Sequence, residues 1–196
     1  MRYIYSIFLL SLFLNCSSKK ELYNLPTFSK NNNINCIIEI PSGTNRKLEF
    51  NKQTKKFEID LLDGEERVIE FLPYPANYGF ITSTYLDPAK GGDGDALDVI
   101  VVSEAIKTGN VLEIIPIGVL KLIDNNEKDY KIIGVPADEN LRIINALSFN
   151  ELKNEYPKIL KILELWFLNY DKGDTLETDG WGDEKEALLE IRTAMK

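Results

Sequence analysis

Residues 91–102, GGDGDALDVIVV, constrain this chain more than any other stretch. The glycines permit a tight turn, and the apolar β-branched run behind them suits a strand. Within six residues of that turn stand three carboxylates, Asp93, Asp95 and Asp98. Like charges this close repel, and a strand has no use for them. A hard cation does, because Mg²⁺ and Ca²⁺ prefer carboxylate oxygens. Two calcium motifs fail on spacing. Counted from Asp93, an EF-hand would need a ligand at its fifth place and glycine at its sixth, where this chain has Leu97 and Asp98. A GGxGxDxUx β-roll repeat would need Asp where Ala96 stands, and the unit occurs once. Taken alone, such a turn is more often a solvated acidic cap on a strand, so the rest of the chain has to decide.

The chain has 196 residues, enough for one well-filled domain, and its 44% hydrophobic and 28% charged residues are ordinary for a globular protein. There is no histidine, which excludes Ser-His-Asp and Cys-His catalysis and His-bound zinc. Any chemistry must run on carboxylates, Lys, Arg and Tyr. The net charge of −8, without a long basic cluster, argues against a nucleic-acid partner.

At the N-terminus, Arg2 precedes the apolar run Tyr3 to Leu14, and Asn15 and Cys16 follow. The run is too short for a membrane span and fits a secretory signal. The cysteine directly after it is similar to that of a bacterial lipoprotein signal, although Asn15 departs from the small residue usual before such a cysteine. Residues 1–15 are therefore expected to be a signal peptide, 16–34 a polar tether and 35–196 the folded domain. On this reading the only membrane contact is a lipid on Cys16. The protein would then sit in the cell envelope on the periplasmic side, or in the cytoplasm if the signal is not used. Cys36, in an apolar strand, is expected to be a buried thiol.

From Cys36 onward the period is β. In CIIEI, Cys36, Ile38 and Ile40 share one face and Ile37 and Glu39 the other, while in KLEF Lys47 and Glu49 share a face. Further strands are expected at 56–60, 67–72, 98–102, 111–121 and 130–135, separated by turn signals such as SGTN, DGEE, KTGN and DNNEK. Short strands at this spacing predict a curved sheet or barrel. Helical spacing takes over at 149–156 and 158–170, with Ile159, Ile162, Leu163, Trp166, Phe167 and Tyr170 apolar around Pro157. A last helix over 184–195 would turn Leu188, Leu189, Ile191 and Met195 inward. The fold class is α+β, a barrel with helices outside it.

Scattered polar residues complete the pattern. Glu39, Lys47 and Glu49 sit on strands, and Tyr74 and Tyr78 flank Asn77 in FLPYPANYGFI. Asp124, Asp129 and Lys131 lie in LKLIDNNEKDYKIIGVP. Singly, charges on alternate strand positions usually form a solvated face, and hairpin acids usually form turns. Together, IEIP, KLEF, YPANYGF, DGDALD and D-x4-D-x-K, in that order, resemble the soluble family I inorganic pyrophosphatases over about residues 35–182.

That resemblance implies a five-stranded OB-like β-barrel with flanking C-terminal helices and an active site at the barrel mouth. It further implies Mg²⁺-dependent hydrolysis of inorganic pyrophosphate by a metal-activated water, in a homo-oligomer. Asp93, Asp98, Asp124 and Asp129 would ligate metal and Asp95 would be the general base. Lys47, Tyr78, Lys131 and Tyr170 would hold phosphate oxygens, with Glu39, Glu49 and Tyr74 supporting them. Where the family has proline in DGDPxD, this chain has Ala96. Arg67 is the candidate for the family's phosphate-binding arginine, in a longer segment than usual. Where the family often has lysine after the tyrosine, this chain has Asp171, so the contact is expected to pass to Lys172. The chemistry suits such a list: Lys offers a point charge to phosphate, Tyr a directional donor, and in-line attack by water needs no protein nucleophile. Two other readings remain at this stage. One is a lipid-tethered metal- or anion-binding module of the same fold, though every expected metal ligand is still ionisable. The other is a hydrolase of short polyphosphate or a nucleotide, for which no base-reading segment is evident.

Overall fold

Ile- and Val-rich segments run through the middle of the chain because the sheet they form is covered on both faces. The computed structural model describes residues 22–125, 127–171, 173 and 175–196. Its strands are β1 (Ile34–Ile40), β2 (Leu48–Asn51), β3 (Lys56–Ile59), β4 (Leu61–Leu62), β5 (Glu65–Glu66), β6 (Asn77–Ile81), β7 (Asp98–Val101), β8 (Val111–Asp124), β9 (Glu127–Lys128), β10 (Lys131–Pro136) and β11 (Leu176–Gly182). The helices are α1 (Phe149–Glu155), α2 (Pro157–Phe167) and α3 (Glu184–Ala194).

Pairing runs from β1 through β6, β7 and β10 to β8, and β8 also pairs with β1. These five strands make the OB-like, barrel-like sheet expected from the sequence. Only β7 and β10 are parallel; the other four pairings are antiparallel. The 14-residue β8 meets β1 near its start, β10 in its middle and β11 at its far end. Alternation then sorts most of the side chains into two main cores, beside a small third cluster of Ile37, Phe80 and Ala96. Val99 and Val101 join Cys36, Ile38 and Ile132 under α3, while Ile100 and Val102 join Ile133, Val135 and the α1–α2 pair. Gly79 is required where β6 crosses β1, since a Cβ there would lie 1.8 Å from Ile37 O. Cys36 is buried and free, and burial pushes its thiol pKa up.

The helices start where their caps dictate. The Ser148 hydroxyl accepts from Glu151 N, the Asp183 carboxylate accepts from Lys185 N and Glu186 N, and Pro157 opens α2. Their inward faces differ in part from expectation. Ile162, Leu189 and Met195 are 55%, 63% and 42% exposed, and Leu160, Ala187 and Ala194 pack inward instead. Period fixes which residues share a helix face, but in α3 the small Ala187 and Ala194 leave too weak a signal to set its rotation.

Four other differences matter. Residues 67–72 do not form a strand, because the DGEE turn closes the short β4–β5 hairpin just before them and Val68 makes only an isolated bridge to Arg46. β6 and β11 were not anticipated as strands, being interrupted by Asn, Gly and charged residues. The expected tether packs on the domain from Leu22 onward: the Thr27 hydroxyl donates to Thr82 O at 2.8 Å, and Tyr23 lies against Phe80 with ring centres 5.4 Å apart. Cys16 lies outside the described residues.

Asn77 proves to be a structural clamp. It is fully buried, its amide donates to Ser103 Oγ at 3.0 Å and Glu104 O at 2.8 Å, and its oxygen accepts from Ser42 N and Ile106 N. Asn77→Ala would leave the part-buried N–H groups of Ser42 and Ile106 without their acceptor, while Glu104 O keeps the Ser103 hydroxyl. The expected cost is roughly 2–4 kcal/mol in a urea unfolding curve. A loss below about 1 kcal/mol would show that the two loops hold themselves.

Candidate active site

At one end of the sheet, the loops and strand ends enclose a cleft of about 320 Å³. β1 supplies Glu39 and β2 supplies Glu49, with Lys47 just before it. Tyr78 comes from β6, Asp98 from β7, Asp124 from the end of β8 and Lys131 from the start of β10. Tyr170 follows α2, and Arg67, Tyr74, Asp93, Asp95 and Asp129 come from loops. All of these candidates line the one cleft. Lys172 lies outside the described residues.

The acidic turn is set by its backbone. Gly94 has φ +86°, in the left-handed region that glycine enters freely, and its N–H donates to Leu86 O at 2.8 Å. Asp95 N donates to Asp93 Oδ1 at 2.8 Å, so one carboxylate folds the turn that presents the next.

Lys131 stands at the centre, only 5% exposed. Its ammonium lies 2.5 Å from Asp98 Oδ2, 2.5 Å from Asp129 Oδ1 and 3.1 Å from the Tyr78 hydroxyl, which itself donates to Asp98. Burial alone would lower the Lys131 pKa, but Asp129 and Asp98 hold it above its ordinary value. Burial raises the Asp98 carboxyl against the pull of Lys131. Burial also pushes Glu39 up to about 8, against a 2.7 Å hydrogen bond from Phe50 N. Tyr74, Tyr78 and Tyr170 are all raised by burial and stay protonated as donors.

Opposite runs a ladder of alternating charge. Lys47 pairs with Glu49 at 2.8 Å and with Asp60 at 3.5 Å; Asp60 is 3.4 Å from Arg67, and Arg67 also pairs with Asp171. The hairpin β4–β5 loops out between Asp60 and Arg67, and Arg67 N donates to Asp60 O at 2.8 Å. The extra length is thus spliced out, and Arg67 reaches the cleft.

Several lining residues escaped the sequence reading. Lys52 Nζ lies 2.5 Å from Asp95 Oδ1 and 5.1 Å from the centre of the Tyr23 ring. Lys52 sits in a polar hairpin turn and Tyr23 in the supposed tether, so neither carries a local signal. Asp60 does not line the cleft but pairs with Lys47 and Arg67, which do, and it could have been suspected as a third charge on the hairpin after Lys47 and Glu49.

The cleft is lined by eight carboxyl groups against five cationic side chains. Its donors are hard oxygens, the set that suits Mg²⁺ or Ca²⁺ rather than a soft metal. Among the described residues no group of three closes on a single point. Instead the Lys131 ammonium lies between Asp98 and Asp129. The donor type suits a divalent cation, while Asp98 and Asp129 are held by the Lys131 ammonium.

Comparison with known proteins agrees with this geometry. The family model for inorganic pyrophosphatase matches residues 36–196. The inorganic pyrophosphatase of Neisseria meningitidis serogroup B is 36% identical over 167 residues, covering 83% of this chain and 87% of that protein. That of Sulfolobus acidocaldarius is 32% identical over 170 residues, covering 83% and 90%. Among solved structures, the Thermus thermophilus inorganic pyrophosphatase superposes with a TM-score of 0.76 at 28% identity, covering 89% of this chain and 97% of that one. The Neisseria gonorrhoeae enzyme gives a TM-score of 0.69 at 33% identity, covering 83% and 89%. With the match running through the sheet and all three helices, and relatives above 30% identity along most of their own length, the chain belongs to the inorganic pyrophosphatase family.

Proposed function

We propose that this cleft hydrolyses inorganic pyrophosphate to two phosphates with Mg²⁺ as the activating metal. One observation carries the reading. A carboxylate wall (Asp93, Asp98, Asp124 and Asp129) shares a cleft with the anion-binding groups Lys47, Arg67, Lys131 and Tyr170. A small, highly charged anion cannot enter an acidic cleft unless cations accompany it, and the same anion has work for Lys47, Arg67, Lys131 and Tyr170. Bound divalent cations would offset the substrate's charge and lower the pKa of the attacking water.

The chain's own residues supply the rest. Asp93, Asp98, Asp124 and Asp129 hold the metal. Lys47, Arg67 and Lys131 bind phosphate oxygens as cations, and the neutral hydroxyls of Tyr78 and Tyr170 orient them. Asp95, on the glycine turn at the mouth, takes the proton from the attacking water as general base. Glu39, Glu49 and Tyr74 brace this set. The direct test is phosphate release from pyrophosphate with Mg²⁺ and with chelator. Turnover only with the metal supports the reading, and no turnover with saturating Mg²⁺ would end it.

The lipid on Cys16 belongs to the same proposal, supported by the apolar run and the cysteine behind it. Made in a host that processes lipoproteins, the protein should show by mass spectrometry the loss of residues 1–15 and an added lipid on Cys16. An intact Met1 in the membrane fraction would rule the anchor out.

A further inference from the structure

Arg67 does not enter the cleft with a free guanidinium. One terminal nitrogen, Nη1, lies 3.4 Å from Asp60 Oδ2, and the other, Nη2, donates to Asp171 Oδ2. Asp171 is itself fixed, since its second oxygen accepts from Gly173 N at 2.9 Å. Arg67 and Asp171 are about equally sheltered, their side chains 19% and 21% exposed. The pair stands next to Tyr170 and within the charge ladder that begins at Lys47.

We infer that Asp171 sets how tightly the site holds phosphate, by occupying one arm of the Arg67 guanidinium and placing a negative charge beside the bound anion. This deepens the pyrophosphatase reading and rests on it. A guanidinium binds phosphate through paired N–H donors. Two carboxylates already claim Nη1 and Nη2, so an incoming phosphate must share them or displace Asp171. Displacement is resisted from both ends. The Gly173 N–H holds the Asp171 carboxyl below its usual range, with Arg67 adding to the effect, and Asp171 in turn holds the guanidinium charge against burial. The charge of Asp171 also opposes the anion directly. Both effects act on substrate and product phosphate alike, so they set binding and release rather than the chemical step.

The test uses the full chain with saturating Mg²⁺ and five proteins: wild type, Asp171→Asn, Asp171→Ser, Arg67→Met and the Arg67→Met, Asp171→Asn double variant. Asp171→Asn keeps the shape and removes the charge. It should lower KM for pyrophosphate and, by calorimetry independent of turnover, the Kd of inorganic phosphate, each by about three- to tenfold. In the Arg67→Met background the same substitution should change both by less than about twofold. Asp171→Ser repeats the charge loss with a different side chain, so a folding fault in one variant does not decide the outcome. Unchanged or raised KM and Kd would show that Asp171 only props Arg67 in place, and an equal fall in the Arg67→Met background would remove Arg67 from the argument. Either result overturns the inference. Absence of turnover by the wild type would count against the pyrophosphatase reading, while the phosphate Kd values would still decide the role of Asp171.

Discussion

Asp95→Asn is expected to lower kcat by on the order of 10²–10⁴, the usual contribution of a general base. The substitution keeps the local structure. Asp95 N still donates to Asp93, and the amide oxygen can accept from Lys52 as the carboxylate does. What disappears is the proton acceptor. Extra Mg²⁺ should not restore the rate, while raising the pH should restore part of it, because solvent hydroxide needs no protein base. Asp98→Asn separates the two roles. Its carboxylate is proposed as a metal ligand, so the loss should appear as weaker Mg²⁺ binding and be partly recovered at high metal. If Asp95→Asn keeps near-full activity, or if Mg²⁺ alone rescues it, Asp95 is one more acid shaping the metal wall.

The difference between Asp95 and Asp98 also marks how far the sequence could be read. Spacing alone brought Asp93, Asp95 and Asp98 onto one turn, because a six-residue segment with glycine at its bend admits few shapes. Alternation put Lys47 and Glu49 on one face, and they do form an ion pair. The barrel-like sheet followed from the number and spacing of short strands between turn signals. Non-local pairing was not legible. Nothing in the sequence of Lys52 or Tyr23 says that they meet beside Asp95, forty-odd residues from Lys52. Nor does Asp171 announce Arg67, since ion pairs across a fold leave no period. β11 hid for another reason: its polar and glycine residues suit an edge strand, which among the described residues pairs with β8 alone, where one side needs no apolar cover. The register of α3 went astray because two of its three buried positions, Ala187 and Ala194, are alanines. Their burial stabilises the packing through close approach rather than through size.

Lys131→Met is expected to change stability more with chelator than with Mg²⁺. The ammonium lies 2.5 Å from both Asp98 and Asp129, and its removal leaves two carboxylates facing one another with only Tyr78 donating to the first. Breaking a fully buried ion pair costs about 3–5 kcal/mol. Here the carboxylates are 21% and 20% exposed, so water relieves part of that. Without metal the loss should be roughly 2–4 kcal/mol, a fall in Tm of about 5–15 °C for a chain of this length. A divalent cation supplies the charge the ammonium gave, and ligand at a hundred times its Kd stabilises by about 2.7 kcal/mol. Mg²⁺ should therefore recover most of the loss and raise Tm more in the variant than in the wild type. KM for pyrophosphate should stay high even so, because Lys131 is also proposed to bind a phosphate oxygen. The decisive comparison is the difference between the two Tm shifts. If chelator and Mg²⁺ leave the variant equally destabilised, the ammonium and the cation do not act on the same carboxylates. The metal wall would then have to be built from Asp93 and Asp124 without Asp98 and Asp129.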